Sequence, residues 1–190
     1  QNRSNDVDFQ YHQDPNFYYL TGLREPNAMV IIFKDVQEYG SGLKTYEILF
    51  LQSRSKSDEI WTGKRLGAER ATEYLGIKTE MNSIDFTKFN LEFPTFDKIL
   101  VGELPENSTN KFEKEGLYNL IQLFQQKTEK CNPNLDKNLL NNQFLPKLRQ
   151  TKQFEELVLL KKAIDITCDA QIELMKSLTP QFKEYQTQAL

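Results

Sequence analysis

"AMVIIFKDVQEYGSGLKTYEILFLQS", residues 28–53, decides the fold class. Ala28 to Lys34 is a continuous apolar run of strand length, the pattern of a strand covered on both faces. Gly40 and Gly42 predict a hairpin turn, and Thr45 to Ser53 returns as the partner strand. In that return Tyr46, Ile48 and Phe50 alternate with Glu47, Leu49 and Leu51.

Working upstream, "QNRSNDVDFQYH" (residues 1–12) is polar and predicts an extended lead-in. Asp14-Pro15 predicts a turn, Phe17 to Leu20 a short aromatic strand, and Gly22 with Glu25-Pro26 a second turn. Pro26 excludes Glu25 from helical geometry, so this is a corner. Working downstream, residues 54–65 predict a loop and "LGAERATEYLG" (residues 66–76) a short helix stopping at Gly76. "FDKILVGEL" predicts a strand centred on Ile99 to Val101. A helix from about Lys111 follows, because Leu117, Leu120, Ile121 and Phe124 recur at the 3.6-residue period. Strands alternating with helices place the chain in the α/β class, a mixed β-sheet flanked by helices.

Composition shifts at Cys131. "CNPNLDKNLLNNQ" is rich in asparagine and poor in apolar residues, which predicts a first domain over residues 1–130 and a linker over 131–145. Residues 146–190 then begin a second, incomplete domain. In it Leu157, Leu160, Ile164, Cys168, Ile172 and Met175 line one face of a helix. From Lys152 to Leu178 that helix would reach ~40 Å, ending before Pro180.

The bulk numbers exclude several partners. With 190 residues, 38% hydrophobic and 12% aromatic, a real core is within reach. Net charge is −3 and basic residues form no long block, which argues against nucleic acid. No apolar run approaches the ~20 residues that cross a bilayer, so no membrane partner is expected. The sequence begins at Gln1, so a missing signal peptide says nothing about export, and cytoplasmic and exported or periplasmic locations both stay open. Cys131 and Cys168 read as free thiols. Asn2 to Ser4 and Asn107 to Thr109 match the short glycosylation sequon.

Complete catalytic motifs are absent. His12, the single histidine, has no paired ligand at metal spacing and reads as a hydrogen-bonded loop residue. Asp6, Asp8 and Asp14 cluster in a polar stretch that reads as a solvated face. No P-loop, dinucleotide fingerprint or nucleophile elbow occurs, so no catalytic residue and no metal ligand is assigned. What stands out is "EIWTGKRLG", residues 59–67, which sets the lone tryptophan, Trp61, among charges and glycines. On residue chemistry alone, Trp61 reads as a hydrophobic plug for its own domain.

"RSNDVDFQYHQDPNFYYLTGLREPNAMVIIFK" followed by "EIWTGKRLG" resembles the N-terminal domain of the aminopeptidase P (Xaa-Pro aminopeptidase) family, of the creatinase-prolidase superfamily. "KLRQTKQFEELVLLKKAIDIT" resembles the opening helix of that family's pita-bread catalytic domain, and "LTPQFKEYQTQA" the start of its next helix. The resemblance implies a hydrolase in which two manganese ions, held by two Asp, one His and two Glu, activate a bridging hydroxide. That hydroxide cuts the bond before a proline at position two of the peptide substrate. The five ligands would lie beyond residue 190, so this segment would serve assembly of a homo-oligomer, a dimer or tetramer, and closure of an active site. Carried over from the family, Trp61 would be a lid residue supplied to a neighbouring subunit, with Gly63 allowing close backbone approach. Lys64 or Arg65 would steer a peptide carboxylate or anchor the interface. Two departures stand out: "QFEE" (residues 153–156) replaces the family's Ser-Pro-Glu-Glu helix start, leaving Thr151 as the expected cap, and the linker lacks a tryptophan-arginine-proline signature. A non-catalytic, protein-binding relative and a prolidase or creatinase relative remain the alternatives.

Overall fold

A computed structural model describes residues 11–39, 42–104 and 115–189. The acidic lead-in residues Asp6 and Asp8, both sequons, Gly40 and the proposed helix start at Lys111 lie outside them. The chain divides into two compact units, residues 1–142 and 143–190.

In the first unit, helix α1 (Pro15–Thr21) precedes strands β1 (Met29–Tyr39) and β2 (Leu43–Leu51). Helices α2 (Lys56–Thr62) and α3 (Ala68–Leu75) lead to β3 (Glu80–Asn82), then β4 (Ile99–Leu100), α4 (Leu117–Thr128) and β5 (Leu135–Asp136). β1 and β2 form the expected antiparallel hairpin, with Ile31 opposite Ile48 and an irregularity between Ile32 and Gln37. β3 joins β2 in parallel, giving the order β1-β2-β3, and β4 pairs in parallel with β5. The sheet is therefore mixed, with flanking helices.

β2 is the central strand and its alternation organises the core. Ile48 and Phe50 point into one apolar cluster with Phe33, Phe86, Phe89 and Leu120. Leu49 and Leu51 point the other way, into a second cluster with Leu23, Ala71 and Ile77. Four consecutive buried residues on one strand mean both faces are covered, as the apolar run at Ile48–Leu51 requires. The Phe50 ring meets Phe86 and Phe89 edge-on at centroid distances of 5.0 and 5.3 Å, the arrangement that places ring edges against ring faces.

Two expectations are corrected here. Phe17 to Leu20 is helix, not strand. Asp14 caps it by accepting the N–H groups of Asn16 and Phe17 at 3.0 and 2.8 Å, and Pro15 occupies the first turn. Gly22, left-handed at φ 69°, closes it by donating to the Tyr18 carbonyl. Terminus chemistry outweighs the strand preference of the aromatic run. Residues 54–65 likewise hold a helix, α2, where a loop was expected; Ser55 at its N-cap makes no side-chain capping bond, and the first turn carries two acids, Asp58 and Glu59, that suit the helix N-terminus.

Of the stretch 131–145 expected as a linker, Cys131 is buried in the first cluster within a 3₁₀ turn (Glu129–Asn134), and Leu135–Asp136 is the strand paired with β4. Asp136 anchors the turn beyond, accepting the backbone N–H groups of Leu139 and Asn138. Those bonds, with Lys98 beside them, hold its carboxyl below the ordinary aspartate value.

The second unit holds α5 (Leu145–Gln150), α6 (Phe154–Ser177) and α7 (Glu184–Ala189). Its 24-residue α6 spans ~36 Å. The cap is Gln153 rather than Thr151: the Glu156 carboxylate accepts the Gln153 N–H at 2.7 Å in a reciprocal capping box. "QFEE" thus starts a helix by its own chemistry. The apolar stripe of α6, including Leu157, Ile164 and Met175, is exposed. No helix among the described residues is long and apolar enough to cross a membrane.

Candidate functional site

Among the described residues of the first unit, the two most exposed large apolar side chains stand side by side on α2. Trp61 sits on α2 with 89% of its surface open to water, and Ile60 beside it is 78% open. The plug reading is therefore corrected: the indole fills no gap in its own domain. Large apolar side chains displayed together on a short helix are the pattern of a contact surface.

The base beneath this ring is cross-tied by hydrogen bonds. Arg54 forks onto Glu59, Nε at 2.9 Å from Oε1 and an Nη at 3.2 Å from Oε2. Glu59 Oε1 also accepts the Arg65 N–H at 3.3 Å. These donors, Arg54 first, hold the Glu59 carboxyl below its ordinary value. Arg65 reaches back to donate to the Ser53 carbonyl at 3.3 Å and faces Asp58 at 3.6 Å, its side chain nearly buried. Ser53 is itself held, its hydroxyl 2.6 Å from each Glu115 oxygen.

Both bracketing glycines adopt backbone that other residues rarely visit: Gly63 at φ 82°, ψ 171° and Gly67 at φ 71°, ψ 159°. At Gly67 the sterics add to this, since a Cβ would lie 2.5 Å from the Arg54 Cγ. Beside Gly63 the space is open, so its own φ is what the sequence must satisfy there. From outside the loop, Glu25 Oε1 accepts the Leu66 N–H at 2.6 Å.

The structure thus separates the three residues singled out from the sequence. Trp61 and Lys64 are exposed, while Arg65 is engaged by its own loop. Sequence reasoning missed Glu25, Arg54, Glu59 and Gly67 as the fastenings. The Glu25-Pro26 corner and the "SKSDE" start of α2 were the available signals.

A shallow groove lies between the C-terminal ends of α1 and α3, lined by Tyr18, Thr21, Glu47 and Tyr74. Arg24 and Arg70 lie over the Tyr18 and Tyr74 rings at 5.3 and 4.8 Å, contacts of cation–π type. His12 is exposed. Among the described residues, no three His, Cys, Asp or Glu side chains gather in a way that would hold a metal ion.

Comparison with known proteins places this scaffold. The family model described as "Aminopeptidase P, N-terminal domain" matches residues 1–93, which take in α1, the hairpin, the tryptophan loop and β3. The chain carries the N-terminal domain of aminopeptidase P. The Xaa-Pro aminopeptidase of Haemophilus influenzae is 29% identical over 191 aligned positions, covering 98% of this chain and 39% of the relative. Intermediate cleaving peptidase 55 of Schizosaccharomyces pombe is 30% identical over 177 positions, 88% of this chain and 33% of the relative. Among solved structures, aminopeptidase P from Escherichia coli in its low-pH form aligns with a TM-score of 0.65 at 23% identity, over 98% of this chain and 41% of that one, a likeness of fold. The chain spans about two fifths of the length of such relatives. The aminopeptidase P domain and the α6 region are therefore both within the aligned span.

Proposed function

We propose that this chain is the N-terminal portion of a manganese-dependent metalloaminopeptidase that removes the first residue from peptides with proline at position two. Its own part is assembly of a homo-oligomer and closure of an active site. The observation that carries this reading is the exposed Trp61 ring on a hydrogen-bonded loop within an aminopeptidase P domain. The names of the relatives, Xaa-Pro aminopeptidases among them, supply the substrate class. Trp61 would cover a peptide held by a neighbouring subunit, excluding water from it. Lys64, exposed on the same loop, would meet the peptide's carboxylate end, while Arg65 keeps α2 in place. Two manganese ions, bound by residues outside this chain, would supply Lewis-acid activation of the attacking water.

The test compares the full-length protein with the 190-residue chain on an Xaa-Pro tripeptide, with manganese present. Release of the first amino acid by the longer protein alone is the expected result. Release by the 190-residue chain overturns the assembly-and-closure role. A full-length protein that binds protein partners and cleaves nothing is the non-catalytic relative. One that cleaves only Xaa-Pro dipeptides belongs with the prolidases.

A further inference from the structure

The loop that displays Trp61 is tied mainly to itself: Arg54 to Glu59, Glu59 to the Arg65 N–H, Arg65 to the Ser53 carbonyl. Leu66 reaches further. Its N–H meets the Glu25 carboxylate, 41 residues away in sequence, and its side chain packs on the second apolar cluster. Glu25 is well placed to act as a fixed point. Its carbonyl accepts the Gln13 side-chain amide at 2.7 Å, and Pro26 follows it. Asn27, left-handed at φ 57°, completes the corner by accepting the Leu117 N–H at the start of α4 with its Oδ1 at 3.0 Å.

The other carboxylate oxygen, Oε2, is buried and has no hydrogen-bond partner among the described residues. Sheltering a carboxylate oxygen without a partner is unfavourable even on a half-buried side chain, and packing alone gives no reason for an acid at this corner. Retaining the acid is explained by what Oε1 does. We propose that Glu25 is a positioning residue: by fixing Leu66 it sets the orientation from which Trp61 meets a peptide. The inference rests on the peptide reading given above and names a residue that acts on it through the loop.

The experiment uses the full-length protein and four variants: Glu25→Ala, Glu25→Gln, Trp61→Ala and the Glu25→Ala/Trp61→Ala double. Amide hydrogen exchange at Leu66 reads the fastening directly. In Glu25→Ala it should accelerate by at least about tenfold while the Ile48 and Phe50 amides of β2 keep their protection. Glu25→Gln retains an acceptor at Oε1 and should keep Leu66 protected. On the Xaa-Pro tripeptide, Trp61→Ala should raise KM about thirtyfold and Glu25→Ala about tenfold, each with kcat within about twofold, and the double variant should be no worse than Trp61→Ala. Unchanged exchange at Leu66, or exchange that accelerates equally across β2, overturns the proposal. So do KM effects that multiply in the double variant, since Glu25 would then act independently of Trp61. An unchanged KM in Trp61→Ala alongside accelerated Leu66 exchange in Glu25→Ala would overturn the peptide reading and uphold the hold of Glu25 on the loop.

Discussion

Trp61→Ala should alter what the protein contacts far more than how stably it folds. With 89% of the residue in water, about a tenth of an indole's ~250 Å², or ~25 Å², is buried in its own domain. At about 25 cal/mol per Å² that burial contributes ~0.6 kcal/mol. Alanine is the better helix former by about half a kcal/mol, so the two effects nearly cancel on α2. For a chain of this size 1 kcal/mol moves the melting temperature by ~2–4 °C, and the expected shift is under ~3 °C. A tryptophan plugging a core would instead cost ~3–5 kcal/mol on truncation. A ring buried by a ligand or a neighbouring subunit behaves as a contact hot spot of about 2 kcal/mol or more, roughly thirtyfold in affinity. Differential scanning calorimetry of the variant, beside steady-state kinetics of the full-length protein, separates the two. A melting temperature lowered by more than ~6 °C with kinetics unchanged would refute the reasoning.

Phe50→Ala should lower stability by ~3–5 kcal/mol in a urea titration, because the ring is fully buried between Phe86 and Phe89. Gly67→Ala should cost ~1–3 kcal/mol and Gly63→Ala less, since both are strained by a positive φ but only the first drives a Cβ into Arg54; equal costs would contradict the steric argument. Burial, outweighing the Leu66 hydrogen bond and the attraction of Arg65, raises the Glu25 carboxyl above its ordinary value, with Glu59 adding repulsion. Its ionised form therefore lowers stability above the folded-state value, and the penalty fades as pH falls through that value toward the unfolded one, near 4.3. Glu25→Gln should accordingly raise the melting temperature at pH 7, with the gain shrinking on acidification toward pH 4. A gain that grows on acidification would reverse the sign of the effect.

The hairpin and α3 were legible because their signals are local and concordant: apolar strand runs in one case, a helical stretch closed by left-handed Gly76 in the other. The aromatic run at Phe17–Leu20 misled because side-chain preference is weaker than an Asp-Pro start and a glycine stop acting together. The asparagine-rich stretch after Cys131 reads as linker by composition, yet two of its residues complete a parallel pair with Ile99–Leu100, a partnership set some 36 positions away in sequence. The candidate site shows the same division. Trp61 is visible as an anomaly in sequence, but its exposure depends on which face α2 turns outward, and the fastening acids lie at Glu25 and Glu115, beyond any local window.

A displayed tryptophan is useful for binding in proportion to how little ordering it requires on contact. Here α2 follows directly from β2, the best-buried strand of the domain, through Gln52, which is buried, and Ser53, which is held by Glu115. The return path is held by Glu59 on Arg65, by Glu25 on Leu66 and by the close contact of Gly67 with Arg54. Each tie restrains the backbone of 53–67 and none covers the indole. Had Trp61 served only to stabilise this domain, burying it would have contributed several kcal/mol that the exposed position forgoes. Charged ties that hold a loop while leaving its largest apolar ring in water are what the proposed contact with a partner from outside the domain requires.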